Sequence, residues 1–206
     1  SVETISNQID VFSADEYRNL GKTTNGFFTP TDKGASTDWS DEVFRSAFSH
    51  THHLALKSGN AKSNYYASVD YRSRDGIIRN TGQERTNLKF GFNRSLFNDK
   101  MTLSANINDV FTVGHTVSTD EVLFATLVTN PTEPIYGPTG DYSIFVDSTN
   151  PVKLINEYNN TTRWNEIQAS GKVTYTPIEP LTFTMIGGYR YFGNIDGSYA
   201  SRKFDT

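Results

Sequence analysis

Thr86-Asn87-Leu88-Lys89-Phe90-Gly91-Phe92-Asn93-Arg94-Ser95-Leu96-Phe97 runs into a polar break, Asn98-Asp99-Lys100, and continues as Met101-Thr102-Leu103-Ser104-Ala105-Asn106-Ile107-Asn108. In the first half Leu88, Phe90, Phe92 and Leu96 share one parity, against Asn87, Lys89, Gly91, Asn93 and Ser95. In the second half Met101, Leu103, Ala105 and Ile107 alternate with Thr102, Ser104, Asn106 and Asn108. Successive side chains of a strand point to opposite faces. The stretch therefore predicts a hairpin with one apolar and one polar face, closed by a tight turn. The rest of the chain reads as further copies of this unit, side by side.

The composition agrees. Of 206 residues only 35% are hydrophobic, yet 14 are Phe and 11 are Tyr. A chain poor in aliphatic residues and rich in aromatic ones suits a sheet with one wet face better than an ordinary closed core. The net charge of -4 argues against a nucleic-acid binder. No apolar run approaches the roughly 18 residues of a transmembrane helix, but a transmembrane barrel needs none. With no cysteine there is neither a disulfide nor a thiolate metal site. The chain opens at Ser1-Val2-Glu3, without initiator Met or signal peptide, and stops at Phe204-Asp205-Thr206. Both ends read as cut from something longer.

In order, Val2–Val11 is a loosely alternating strand. Ser13 with Glu16 is a capping box for a two-turn helix ending near Gly21. From Lys22 to Asp41 the composition is that of a loop. Strands follow over about Val43–Lys57 and Asn64–Ser73, then the opening hairpin. After Val113 the alternation stops. Ser118-Thr119-Asp120-Glu121 caps a helix over Val122–Thr129, and turn chemistry, Asn150-Pro151 included, continues to Thr162. Strands resume over Asn165–Thr176 and from Leu181 through Tyr191.

Connection lengths alternate. Ser58–Lys62, Asn98–Lys100 and Pro177–Pro180 are short; Phe12–Asp41, Arg74–Arg85 and Thr112–Thr162 are long. All long loops thus fall on one edge of the sheet, the pattern of outer-membrane barrels. Strands of about ten residues suffice to cross a bilayer when tilted. Tyr65, Tyr71, Trp164, Tyr175, Tyr189 and Tyr191 fit interfacial aromatic girdles. Arg94 stands on the apolar parity, close enough to the Asn98 turn to sit at an interface, or at a bulge.

Several segments resemble one family. Thr37-Asp38-Trp39-Ser40-Asp41-Glu42-Val43-Phe44-Arg45 and His53-Leu54-Ala55-Leu56-Lys57-Ser58-Gly59 resemble the lead into an early barrel strand of SusC/RagA-like TonB-dependent transporters. Asn64–Tyr71, Asp75-Gly76-Ile77 and Glu84-Arg85-Thr86-Asn87 resemble that family's next hairpin. Asp10–Arg18 is similar to the stretch after its first barrel strand, and Asn150-Pro151-Val152 to a motif of its long loop. The series covers nearly the whole chain in order; Lys57-Ser58-Gly59 departs from a more usual Ser-Gly-Gly.

The resemblance implies an all-β fold: an antiparallel transmembrane barrel segment with long extracellular loops containing short helices. It would be about seven strands of a roughly 22-stranded barrel with a plugged lumen. Residues 1–206 would be the N-terminal part of that barrel, with the plug and the remaining wall outside this chain. The implied function is import of glycans or oligopeptides across the outer membrane of Bacteroidota. The implied partners are outer-membrane lipid, a SusD-like surface lipoprotein and the TonB complex, which acts through the plug. The alternatives are a soluble carbohydrate-binding β-sandwich and a passive porin. A sandwich requires the apolar faces of two sheets to pack together and loops of similar length at both ends.

No catalytic constellation, phosphate loop or cofactor motif is present, so the chain does not read as an enzyme. His50 and His52 share a face, but a metal site lacks a third ligand there. Asp15 and Glu16 serve helix capping, and Glu166 and Lys172 are wall charges facing the lumen. Asn160-Thr161-Thr162 is a chance glycosylation match. Trp39, Tyr136 and Tyr142, in the long loops, are the candidates for contact with substrate or lid.

Overall fold

A computed structural model describes residues 1–4, 9–24, 26 and 28–203. Its frame is one antiparallel sheet of seven strands in sequence order. These are β1 (Val2–Glu3), β2 (Ala47–Asn60), β3 (Ser63–Asp75), β4 (Gly82–Leu96), β5 (Met101–Thr116), β6 (Tyr158–Ile178) and β7 (Leu181–Ala200). The helices are α1 (Ala14–Thr23), α2 (Trp39–Val43), α3 (Thr119–Val128) and α4 (Pro151–Glu157).

The opening hairpin has the register its alternation requires. Phe90 faces Ile107, Phe92 faces Ala105 and Leu96 faces Met101. Leu103 then meets Val173, which meets Met185, so one apolar face runs unbroken across the strands. Phe97 belongs to the turn rather than the strand: Phe97, Asn98 and Asp99 all take positive φ. The pairing of Arg94 with Ser63 and Leu103 is continuous, so no bulge accommodates it. It stands two residues from the end of β4 instead.

Among the described residues no element packs on the apolar face. Leu56, Phe183 and Met185 are 68%, 57% and 69% exposed. Among the described residues no second sheet covers them, which removes the β-sandwich alternative. Every buried residue of β2 to β7 lies on the opposite, polar face: Ala47, Ser49, Ser68, Val110, Thr112 and Gly114. Small residues are buried on one side only where a sheet curls toward that side, as twisted strands do on the way to closure.

The hydrophobic core sits elsewhere, in a cap along the long-loop edge. Val43, Ile78, Val117, Val122, Ala125, Leu154 and Ile155 form it, with Phe44 against them. Short turns close the other edge: Ala61-Lys62, Phe97–Lys100 and Glu179-Pro180.

Several boundaries differ from the sequence expectations. Regular pairing at the N-terminus is limited to Val2–Glu3; residues 5–8 of the expected first strand lie outside the described residues, and 9–12 are irregular. α1 has its full capping box, Ser13 with Glu16, but continues through Gly21 to a C-cap at Thr24. The 22–41 loop yields α2, because Asp38 Oδ1 accepts from the Ser40 and Asp41 N–H groups, and β2 begins four residues after Val43, at Ala47. The Arg74–Arg85 connection shrinks to Gly76–Thr81. The Thr112–Thr162 loop is trimmed from both ends, since β5 runs to Thr116 and β6 starts at Tyr158. These strand ends are polar on both faces, so alternation carries no sign of them; only pairing with a neighbour holds them.

α4 was also hidden. Asn150-Pro151 is turn chemistry on its face, but it is equally an N-cap followed by Pro at the first helical position. Asn150 is 2% exposed. Its Oδ1 accepts from the Val152 and Lys153 N–H groups at 3.1 and 3.3 Å, and its Nδ2 donates to the Ile135 carbonyl at 2.8 Å. Asn150→Ala removes the cap and one of the two hydrogen bonds to the Ile135 carbonyl, which keeps the Ser143 N–H at 3.0 Å. The expected cost is about 1–3 kcal/mol, read as faster amide hydrogen exchange across α4 with β5 unchanged.

Candidate functional site

The site-bearing surfaces are the cap and the polar face of the sheet. In the cap, Trp39 opens α2 and is 3% exposed. Its Nε1 donates to the Asn130 carbonyl at 3.1 Å, and its ring meets Phe145 edge-on at 5.7 Å. The segment before it is laced to the end of α3: Ala35 N–H to the Thr132 carbonyl, Thr37 N–H to the Pro131 carbonyl, and Thr37 Oγ1 to the Glu133 carbonyl, at 2.7–2.9 Å. Arg18 of α1 reaches Asp32 at 3.0 Å and Asp15 at 3.1 Å, and donates to the Ala35 carbonyl. The Gly34 N–H, and then Arg18, hold the Asp32 carboxyl below its ordinary range. The Ser13 backbone and hydroxyl do the same for Glu16.

These ties frame a cleft of about 770 Å³ between α1, the 31–39 segment, the end of α3 and residues 145–148. Phe12, Tyr17 and Trp39 line it together with Asp15, Lys33 and Glu133. Tyr136 and Tyr142 lie apart from it. They pair across an isolated bridge whose turn contains Gly140 at φ +83°, with ring centroids 5.2 Å apart. Tyr136 is half exposed; Tyr142 accepts from Asn156 Nδ2 at 3.3 Å, and burial pushes its phenol up to about 12. The three aromatic candidates therefore form two separate places, with Trp39 inside the cap's packing and the tyrosine pair on its surface.

On the sheet, His50 and His52 stack beside Tyr71 at the long-loop end of the apolar face. His53 points the other way and meets Asp70 at 2.5 Å. Among the described residues no group of three His, Asp or Glu side chains is placed to hold a metal. On the polar face Glu166 accepts from Arg190 at 2.7 Å and from Gln168 at 2.7 Å. Trp164 corrects the girdle expectation. It pairs with Thr112 and Asn194 and shares its face with Glu166 and Gln168, so it belongs to the polar side. Its parity with those neighbours was the available signal.

A curled sheet that is bare on its apolar side, charged on the other and capped along one edge is a segment of β-barrel wall. No family model matches the chain. It is 33% identical over 136 residues to TonB-dependent receptor SusC of Bacteroides thetaiotaomicron, covering 65% of this chain and 13% of that protein. It is 25% identical over 205 residues to TonB-dependent receptor P3 of Formosa agariphila, covering 92% of this chain and 20% of that protein. The fold matches a chain of the RagAB peptide transporter with a TM-score of 0.63 at 18% identity, over 90% of this chain and 22% of that one. In sequence and fold the chain is consistent with a fragment of a SusC/RagA-like TonB-dependent receptor, and it spans a fifth or less of the length of the SusC and P3 relatives. They are receptors, not enzymes.

Proposed function

We propose that this sheet is wall from the early part of a transporter barrel in the outer membrane of a Bacteroidota cell. In this reading the plug and the rest of the wall come from parts of the protein outside this chain. The carrying observation is the bare apolar face. Along β5 it extends from Met101 to Ile107 and gives way at Asp109, whose carboxylate accepts from Asn165 at 2.7 Å. With Phe111, exposed beyond Asp109 on the same parity, the face covers positions 101–111, the roughly 9–11 residues a tilted transmembrane strand needs. Lipid offers no hydrogen bonds, so the wall must close on itself, and the polar face then lines the lumen.

β6, with 21 residues, is about 70 Å long. Its upper half stands clear of the bilayer on the long-loop side and joins the cap, which faces outward. The full protein imports a nutrient, a glycan or an oligopeptide, with a SusD-like lipoprotein over the cap and TonB acting through the plug. Trp39, Tyr136 and Tyr142 are the cap aromatics that this reading assigns to the lid and cargo side, Tyr136 by its exposure and Trp39 through the cleft it lines.

The test uses the full-length protein in vesicles containing brominated lipid, with a single Trp at Ile107 or at Asn106 and the native Trp residues replaced by Phe. Quenching at 107 and not at 106 is expected. Equal quenching at both, or protein recovered in the soluble fraction, overturns the reading.

A further inference from the structure

One row of residues crosses the polar face at its long-loop end. Thr51 pairs with Arg72, Arg72 with Arg85, Arg85 with Thr112, and Thr112 with Trp164. Arg72 and Arg85 are thus directly opposite, an arrangement that destabilises an antiparallel pair unless something negative lies between the charges. Neither guanidinium has a carboxylate within 4 Å among the described residues. The acids nearest on that face are engaged at contact distance by other groups, Asp70 by His53 and Glu166 by Arg190 and Gln168, and Arg85 acts on Glu166 only from beyond ion-pair distance.

The chain as a whole is acidic, yet four arginines and Lys57, Lys89 and Lys172 share this face with only Glu3, Asp70, Glu166 and Asp196. The positive charge is segregated onto it.

Trp164 completes the row. Its indole extends along the sheet to Gly114, with Cζ3 3.9 Å from where a Cβ would stand, an ordinary contact distance. Thr112, between Arg85 and Trp164, is buried and its hydroxyl has no hydrogen-bond partner among the described residues. Strands are about 4.8 Å apart, so indole and nearer guanidinium stand roughly 10 Å apart in backbone terms.

We propose that Arg72, Arg85 and Trp164 form a binding row for an acid-bearing oligosaccharide on the inner wall. The guanidiniums take a carboxylate or sulfate in two-pronged fashion, and the indole takes the apolar face of a neighbouring sugar ring. The span suits an oligosaccharide rather than a single sugar. An acidic peptide satisfies the arginines but has no need of the indole, which is why carbohydrate is favoured. The inference rests on the barrel reading above, because only there does this face line a lumen.

The test is calorimetric titration of the full-length protein in detergent. The probes are tetragalacturonate, neocarratetraose sulfate, uncharged maltotetraose and tetraglutamate. Binding of one acidic sugar and not of maltotetraose is expected, weakening as salt rises. The carboxylate and sulfate probes tell which acid is read. Arg72→Gln with Arg85→Gln, and separately Trp164→Ala, are each expected to weaken binding roughly tenfold or more. Removing two opposed like charges does not threaten folding. Failure of both acidic sugars, equal binding of maltotetraose, or tetraglutamate binding more tightly than either acidic sugar overturns the proposal. Outer-membrane fractionation of the same variants reads the barrel assignment separately.

Discussion

Ile107→Arg is expected to cost the full-length protein about 2–4 kcal/mol, while Asn106→Arg, one residue away, costs little. Ile107 is in the middle of the apolar face, opposite Phe90 on one side and Ala169 on the other, and half its surface is bare. A guanidinium there must be drawn out of hydrocarbon, and the one acid along the strand on that face, Asp109, is already held by Asn165 at 2.7 Å. Asn106 lies between Gly91 and Ser170 on the polar face, where a cation remains hydrated. The measurement is the urea midpoint of barrel unfolding in detergent or lipid, followed by the loss of heat-modifiable mobility in electrophoresis. Arg94 supplies an internal control. It occupies the same face near the turn, where the cost falls to about 0–1 kcal/mol. If Ile107→Arg and Asn106→Arg unfold together, the apolar face does not meet lipid.

Trp39→Ala should destabilise the cap by about 3–5 kcal/mol and leave the sheet intact. The indole is buried, bonded through Nε1 to the Asn130 carbonyl and packed edge-on against Phe145. Its loss opens a cavity and leaves the Asn130 carbonyl with the Glu133 N–H alone, at the point where the 31–39 segment meets α3. Trp39→Phe keeps most of the packing and loses the hydrogen bond, so a smaller cost, on the order of 1–2 kcal/mol, is expected. Limited proteolysis reads both: cleavage within residues 28–38 and 143–149 should accelerate in the Ala variant, with β4 and β5 still protected. Uniform loss of protection would mean that cap and sheet unfold as one unit.

The strand interiors were legible because a period of two is a local property. Leu88 to Phe92 and Met101 to Ile107 announce which side is apolar without reference to any neighbour, and the register follows once the turn is short. The Ser13–Glu16 capping box was legible for the same reason, since both partners lie within one turn.

The upper strand ends were not legible. Tyr158 to Arg163 and Gly193 to Ala200 carry no clean alternation where water touches both sides, and they are strands because each finds the other. α4 was hidden by the double meaning of Asn150-Pro151, which the Ile135 carbonyl resolves in favour of a cap. For Trp164 parity outranks residue type: an aromatic suggests a girdle, but its alternation with Glu166 and Gln168 puts it on the polar face.

What the chain determines by itself, then, is a ribbon pattern with two unlike faces and loops gathered at one edge. Those follow from side-chain direction and turn length, which few residues decide. Only the tertiary arrangement decides that the apolar core is in the cap and not under the sheet. It alone brings Arg72, Arg85 and Trp164 into one row from three strands. Long-range pairing sets both, because neighbours in a sheet are chosen by hydrogen bonds between segments far apart in sequence.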